Sequence, residues 1–123
     1  MTKLDELLLE VQSELGGVVL GSDIVGLDGL SVAGFSANPN FDGAAASARF
    51  AMVMKLASKV AGKIGMGTVD DVLTVTDHVY IITRFIGDGS YYWGLTIPLD
   101  ATLGLARMVM NEYADRLWEA VPH

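Results

Sequence analysis

The sequence predicts an α+β sandwich: helix, strand, strand, helix, three strands, helix, with the five strands in one antiparallel sheet. Three observations carry this reading. Leu4, Leu7, Leu8, Val11 and Leu15 recur at helical spacing. The run from Val69 to Leu99 is rich in β-branched and aromatic residues and is broken by two turn clusters. Between these regions, Asp42 to Gly65 reads as one long helix that is apolar around almost its whole circumference.

The elements follow in order. Thr2 is placed to cap the first helix and Gly16 to close it. "GVVLGSDIVG" and "LSVAGF" read as two strands around Leu27-Asp28-Gly29, where an Asp-Gly pair supplies the turn. "SANPN" is a loop, and Asp42 caps the long helix. Three strands follow, with turns near Thr76-Asp77 and at Gly87 to Ser90. In the middle one, Val79, Ile81 and Phe85 point one way and Tyr80, Ile82 and Ile86 the other, so helices are expected on both faces of the sheet. Pro98 ends the last strand, Asp100 is expected to cap the last helix, and Leu103, Ala106, Met110, Tyr113, Leu117 and Val121 form that helix's buried stripe.

At 123 residues the chain fits one domain with one core. It has no cysteine, which removes disulfides and thiolate metal sites and suits a reducing cytoplasm. The N-terminal "MTKLDELLLEVQSEL" carries acids through its apolar stretch, unlike a signal peptide, and no window reaches the ~18 consecutive apolar residues of a membrane span. The formal charge of −7 disfavours nucleic acid and anionic lipid as partners. Within that acidic background, four of the eight basic residues, Arg49, Lys55, Lys59 and Lys63, lie in the middle helix.

The middle helix poses the main physical problem. Phe50, Ala51, Met52, Val53 and Met54 are consecutive and, at ~100° per residue, circle the axis. One sheet cannot cover them all. Its 24 residues span ~36 Å, comparable to the width of a globule of this size. Connections this short cannot roof it. One side is therefore expected on the sheet and another against the same helix of a second chain, through Phe50, Val53, Met54, Ala57 and Ala61, with Ala and Ser allowing close approach. Lys55, Lys59 and Lys63 recur every four residues as one exposed stripe with Met52 at its edge. This stripe is either an ordinary water face or, with Arg49, a docking ridge for an acidic partner.

The sequence carries little catalytic chemistry. No phosphate-binding loop is present: "GKIGMG" follows a helix and precedes a strand, the wrong order, and reads as a helix C-cap and loop. "GFSAN" lacks the second glycine of a nucleophile elbow. His78 and His123 are too few for a metal site, and Asp70 and Asp71, as strand neighbours, point to opposite faces. "SYYWG" reads as cross-strand packing. No catalytic, cofactor or metal residue is expected.

The chain resembles the Roadblock/LC7 family, including its bacterial GTPase-regulator branch. The resemblance runs from Leu4 to Val121 and rests on "GVVLGSDIVGLDGLSVAG", the Ala-rich middle helix, "VLTVTDHVYIITRF" and "LTIPLDATLGLARMVM". It implies a profilin-like, Roadblock-type sandwich and a homodimer. In such dimers the middle helices lie antiparallel and the third strands pair edge to edge, here through Val72, Leu73, Thr74 and Val75. The partner it implies is a small Ras-like GTPase, met through Arg49, Met52, Lys55, Lys59 and Lys63. The alternative is a small-ligand sensor of PAS or GAF type, which should enclose a pocket where an association module should be flat.

Overall fold

The computed structural model describes Met1 to His123. In chain order the elements are α1 (Lys3–Glu14), β1 (Gly21–Gly26), β2 (Ser31–Ser36), α2 (Gly43–Lys63), β3 (Asp71–Val75), β4 (Val79–Ile86), β5 (Tyr91–Pro98) and α3 (Leu103–Ala120). The five strands form one antiparallel sheet in the order β2-β1-β5-β4-β3. The expected fold class is therefore the observed one.

Local chemistry explains most boundaries. The Thr2 hydroxyl accepts from the Asp5 amide while the Asp5 carboxylate accepts from the Thr2 amide, a reciprocal capping box. Two C-terminal amides close the same helix on Ser13 and Gln12 carbonyls. Between β1 and β2, Asp28 Oδ1 accepts from the Leu30 amide at 3.0 Å and holds the turn that the Asp-Gly pair announced. Gly17 to Leu20, included in the first strand by its apolar character, lies before β1.

One face of the sheet is covered by α1 and α3. Leu7, Val11, Ile24, Ile82, Trp93, Leu95 and Leu117 are all fully buried in this layer. Trp93 satisfies its indole N–H there by donating to the Ser22 hydroxyl at 3.0 Å. The expected stripe of α3 is buried apart from Leu103, which packs at its edge, and Val109 and Ala114 join it. Asp100 is a correction: the residue preceding α3 is Thr102, and it makes no side-chain cap bond. A turn closed by the Ala101 amide on the Pro98 carbonyl comes first and uses Asp100 inside it.

The opposite face carries α2 alone. Its buried contact is a small cluster of Val25, Ala51, Met54 and Tyr92, edged by Leu27, Phe50, Val72 and Phe85. The alternation of β4 works as read, with Ile82 and Ile86 in the large core and Phe85 against the α2 cluster. No helix is long and apolar enough to cross a membrane.

Candidate protein interface on helix α2 and strand β3

Helix α2 is held at both ends and along one narrow seam. Asp42 Oδ1 accepts from the Ala45 amide at 3.0 Å. At the other end the Gly65 and Met66 amides donate to the Gly62 and Ala61 carbonyls, so "GKIGMG" is the C-cap and loop its position implied. In the seam, the Ser47 hydroxyl donates to Asp23 of β1 at 2.9 Å, and the Tyr92 hydroxyl of β5 donates to the Ser47 carbonyl at 2.7 Å. Only Ser47, Ala51 and Met54 of α2 are buried.

The rest of the apolar circumference faces outward. Leu56 is 62% exposed, Ile64 61%, Val60 49% and Val53 39%. Their spacing of three, four and four residues sets them in one stripe along the flank. Of the residues expected at a chain-to-chain contact, Val53 is on this stripe, Ala57 and Ala61 are half-buried, and Phe50 is half-buried against the sheet cluster. Met54 is a correction. It is fully buried within its own chain, because it lies one turn along from Phe50 and Ala51 on the sheet-facing side. Leu56, Val60 and Ile64 are the positions that sequence reasoning passed over; their i, i+4, i+8 spacing was the available signal.

Strand β3 lies at the sheet edge, paired only with β4. The Phe85 amide donates to the Asp70 carbonyl, and with the register Val72↔Thr83 this turns the backbone groups of Asp71, Leu73 and Val75 away from the sheet. Val72, Leu73 and Thr74 are half-buried and Val75 is exposed. A free edge therefore lies at the far side of the sheet from β2, where Val72 packs against the cluster that holds Met54.

The whole chain has close relatives. It is 34% identical over 119 residues to the uncharacterized protein MJ0310 of Methanocaldococcus jannaschii, covering 93% of this chain and 96% of that one. MJ1340 of the same organism is 33% identical over the same shares. The chain belongs to the family of these two proteins. No family model matches it. Among solved structures, Myxococcus xanthus MglB is similar with a TM-score of 0.87 at 14% identity, covering 98% of both chains. A Roadblock/LC7 domain from Streptomyces avermitilis is similar with a TM-score of 0.79 at 15% identity, covering 94% of both. The fold of the MJ0310 family, as this chain presents it, is thus the Roadblock/LC7 fold.

On this Roadblock-type scaffold the basic residues separate into two groups. Lys55, Lys59 and Lys63 are exposed in a row that adjoins the apolar stripe, with Leu56 and Val60 each three residues before a lysine, and neither they nor Arg49 forms an ion pair. Met52, 68% exposed, lies three residues before Lys55 and seven before Lys59, within the lysine flank. The other arginines are engaged within the chain: Arg107 pairs with Asp71 at 3.2 Å, Arg116 with Glu10 at 3.4 Å, and Arg84 bonds to the Asn111 side chain. Beside the N-terminal half of α2 the sheet is left open as a cleft of about 560 Å³, with Asp23 in its floor.

Proposed function

We propose that this chain, as a single Roadblock/LC7-like domain over residues 1–123, is a homodimeric regulator or scaffold that binds a small Ras-like GTPase in the cytoplasm. The observation that carries the proposal is the outward apolar stripe of Val53, Leu56, Val60 and Ile64 beside the open edge of β3. A monomer leaves both bare. A second copy related by a two-fold axis covers both at once, stripe on stripe and Leu73 and Val75 edge on edge, burying on the order of 800 Å² per chain. The likeness in fold to MglB and to a Roadblock/LC7 domain supports the reading, and the pairing and the Ras-like GTPase partner are what the resemblance to the Roadblock/LC7 family implies.

In the proposed dimer the lysine flanks remain in water. Met52, Lys55, Lys59 and Lys63 of the two chains then make a basic ridge on an otherwise acidic particle, with Arg49, one turn before Val53, at the N-terminal end of the stripe beside it, and the ridge steers an acidic face of the GTPase toward it. The mechanism is contact alone. Holding the switch loops of a GTPase in one arrangement changes its hydrolysis rate without a group supplied in trans. Immobilised chain should retain a Ras-like GTPase from the same genome in a nucleotide-dependent manner, and equal failure to retain the diphosphate and triphosphate forms would count against the reading.

A second reading, small-ligand sensing of the kind PAS and GAF modules perform, is favoured by one observation, the open cleft above Asp23.

A further inference from the structure

Three strands converge on Asp23 in a way that needs explaining. It stands between Gly34 of β2 and Gly94 of β5 in the cross-strand register. A Cβ at Gly34 would lie 2.8 Å from Asp23 Cβ, and one at Gly94 would lie 2.6 Å from Asp23 Oδ1. Both neighbours must therefore lack side chains for the carboxylate to lie where it does, across β5 and under α2. Asp23 Oδ2 accepts from Ser47, while Oδ1 receives no hydrogen bond from the chain. Oδ1 instead opens into the cleft, where a donor brought by a ligand competes only with water for it.

The surroundings say what kind of ligand. No lysine, arginine or histidine lines the cleft, so its one charge is negative and has no counter-charge in the chain. The walls are apolar and aromatic: Phe50 and Tyr92 inside, Phe41 and Val32 at the mouth. Phe41 is 55% exposed and Val32 40%, so the mouth itself carries apolar surface open to water. The volume of about 560 Å³ falls in the range of roughly 300–1,000 Å³ usual for small-molecule sites. A single partly buried acid at the end of an aromatic-walled cleft is complementary to an ammonium ion carrying an apolar body.

We propose that the cleft between α2 and the β2-β1-β5 face is a binding site for a small organic ammonium ion, with Asp23 Oδ1 accepting from the ammonium and Phe41 and Phe50 packing on its hydrocarbon. Burial pushes the Asp23 carboxyl up to about 6, which leaves it anionic at neutral pH and able to pair with a cation. The site stands on α2's N-terminal half and owes nothing to the GTPase reading. An ammonium could also arrive as a lysine of a second copy, and that source would leave the cleft already filled.

The test is a titration of the full-length protein with 2-phenylethylamine at pH 7.5, followed by amide chemical shifts, with 2-phenylethanol and phenylacetate as the uncharged and anionic counterparts. Saturable shifts confined to Gly34, Ser47, Gly94 and their neighbours are expected for the amine only. Asp23→Asn should weaken them by about tenfold or more, the scale of one lost charge-assisted hydrogen bond. Lys59→Ala, an exposed change on α2 outside the cleft lining, should retain binding. No shift with the amine, as a lysine-filled cleft would give, overturns the proposal, and so does equal binding of phenylacetate or of the amine by Asp23→Asn.

Discussion

Ser47 of α2 and Asp23 of β1, twenty-four positions apart, are joined by a hydroxyl-to-carboxylate hydrogen bond of 2.9 Å that fixes where the helix crosses the sheet. The same serine receives the Tyr92 hydroxyl on its carbonyl, so one helical residue is tied to two adjacent strands. The arrangement positions α2 while leaving a destabilised acid beneath it.

That acid predicts a pH dependence. Burial raises the Asp23 carboxyl from 3.8 to about 6, with the Ser47 bond opposing the shift. Between these values the folded chain holds a proton that the unfolded chain has lost, so Asp23 makes stability fall as pH rises from about 4 to about 6, then level off. The size is on the order of 2–3 kcal/mol. Tyr92, the titratable group packed beside it, is itself raised by burial and by the Asp23 charge and stays neutral throughout. Asp5 and Asp88 are lowered by hydrogen bonds and act in the opposite sense, so the comparison must be with a variant. Urea unfolding at pH 4.5 and 7 should show Asp23→Asn more stable than the parent at pH 7, with the advantage shrinking at pH 4.5.

Met54 and Leu56, two residues apart on α2, should fail in different ways. Met54 is fully buried, and Met54→Ala should cost about 2–5 kcal/mol of folding stability. Leu56 is exposed in the single chain, so Leu56→Glu should leave monomer folding within about 0.5 kcal/mol. It should instead shift the chain from dimer to monomer in sedimentation at micromolar concentration, as should Val60→Glu. A dimer unaffected by both changes would place the contact elsewhere.

Much of this was readable beforehand. Capping by Thr2 and Asp42, the Asp28 turn and the alternation of β4 are local signals, each decided by residues within a few positions of one another. Asp100 misled because a turn and a helix start compete for the same short acid, and the turn after Pro98 won. Met54 misled because a helix apolar on all sides does not announce which side meets the sheet; Ser47 and Asp23 decide that, through a contact with no sequence proximity. The Asp23 site was invisible for the same reason. "GSDIVG" reads as an ordinary strand until the register sets Asp23 between Gly34 and Gly94.

None of the four arginines is expected to act on a bound nucleotide. Arg84, Arg107 and Arg116 are held by Asn111, Asp71 and Glu10, and Arg49 lies within a helix. If the chain stimulates a GTPase, Arg49→Ala and Arg84→Ala should leave single-turnover hydrolysis within a few-fold of the parent at saturating regulator. Loss of turnover with binding intact would contradict this.

Charge reversal on the lysine flank should affect association and spare assembly. With Lys55→Glu and Lys59→Glu together, the dimer should persist, while GTPase binding weakens and its salt dependence flattens. Affinity measured by calorimetry at two salt concentrations separates the outcomes: no change at either salt returns these lysines to an ordinary solvated face.

Two copies of this chain are expected to form the unit that meets one GTPase, because a globular partner lying across the two-fold axis excludes a second. Native mass spectrometry of the chain mixed with a Ras-like GTPase from the same genome, loaded with a non-hydrolysable triphosphate, reads this directly. A dominant species of two chains and one GTPase is expected. A single chain with or without GTPase, or a dimer that takes up no GTPase in either nucleotide state, would contradict it.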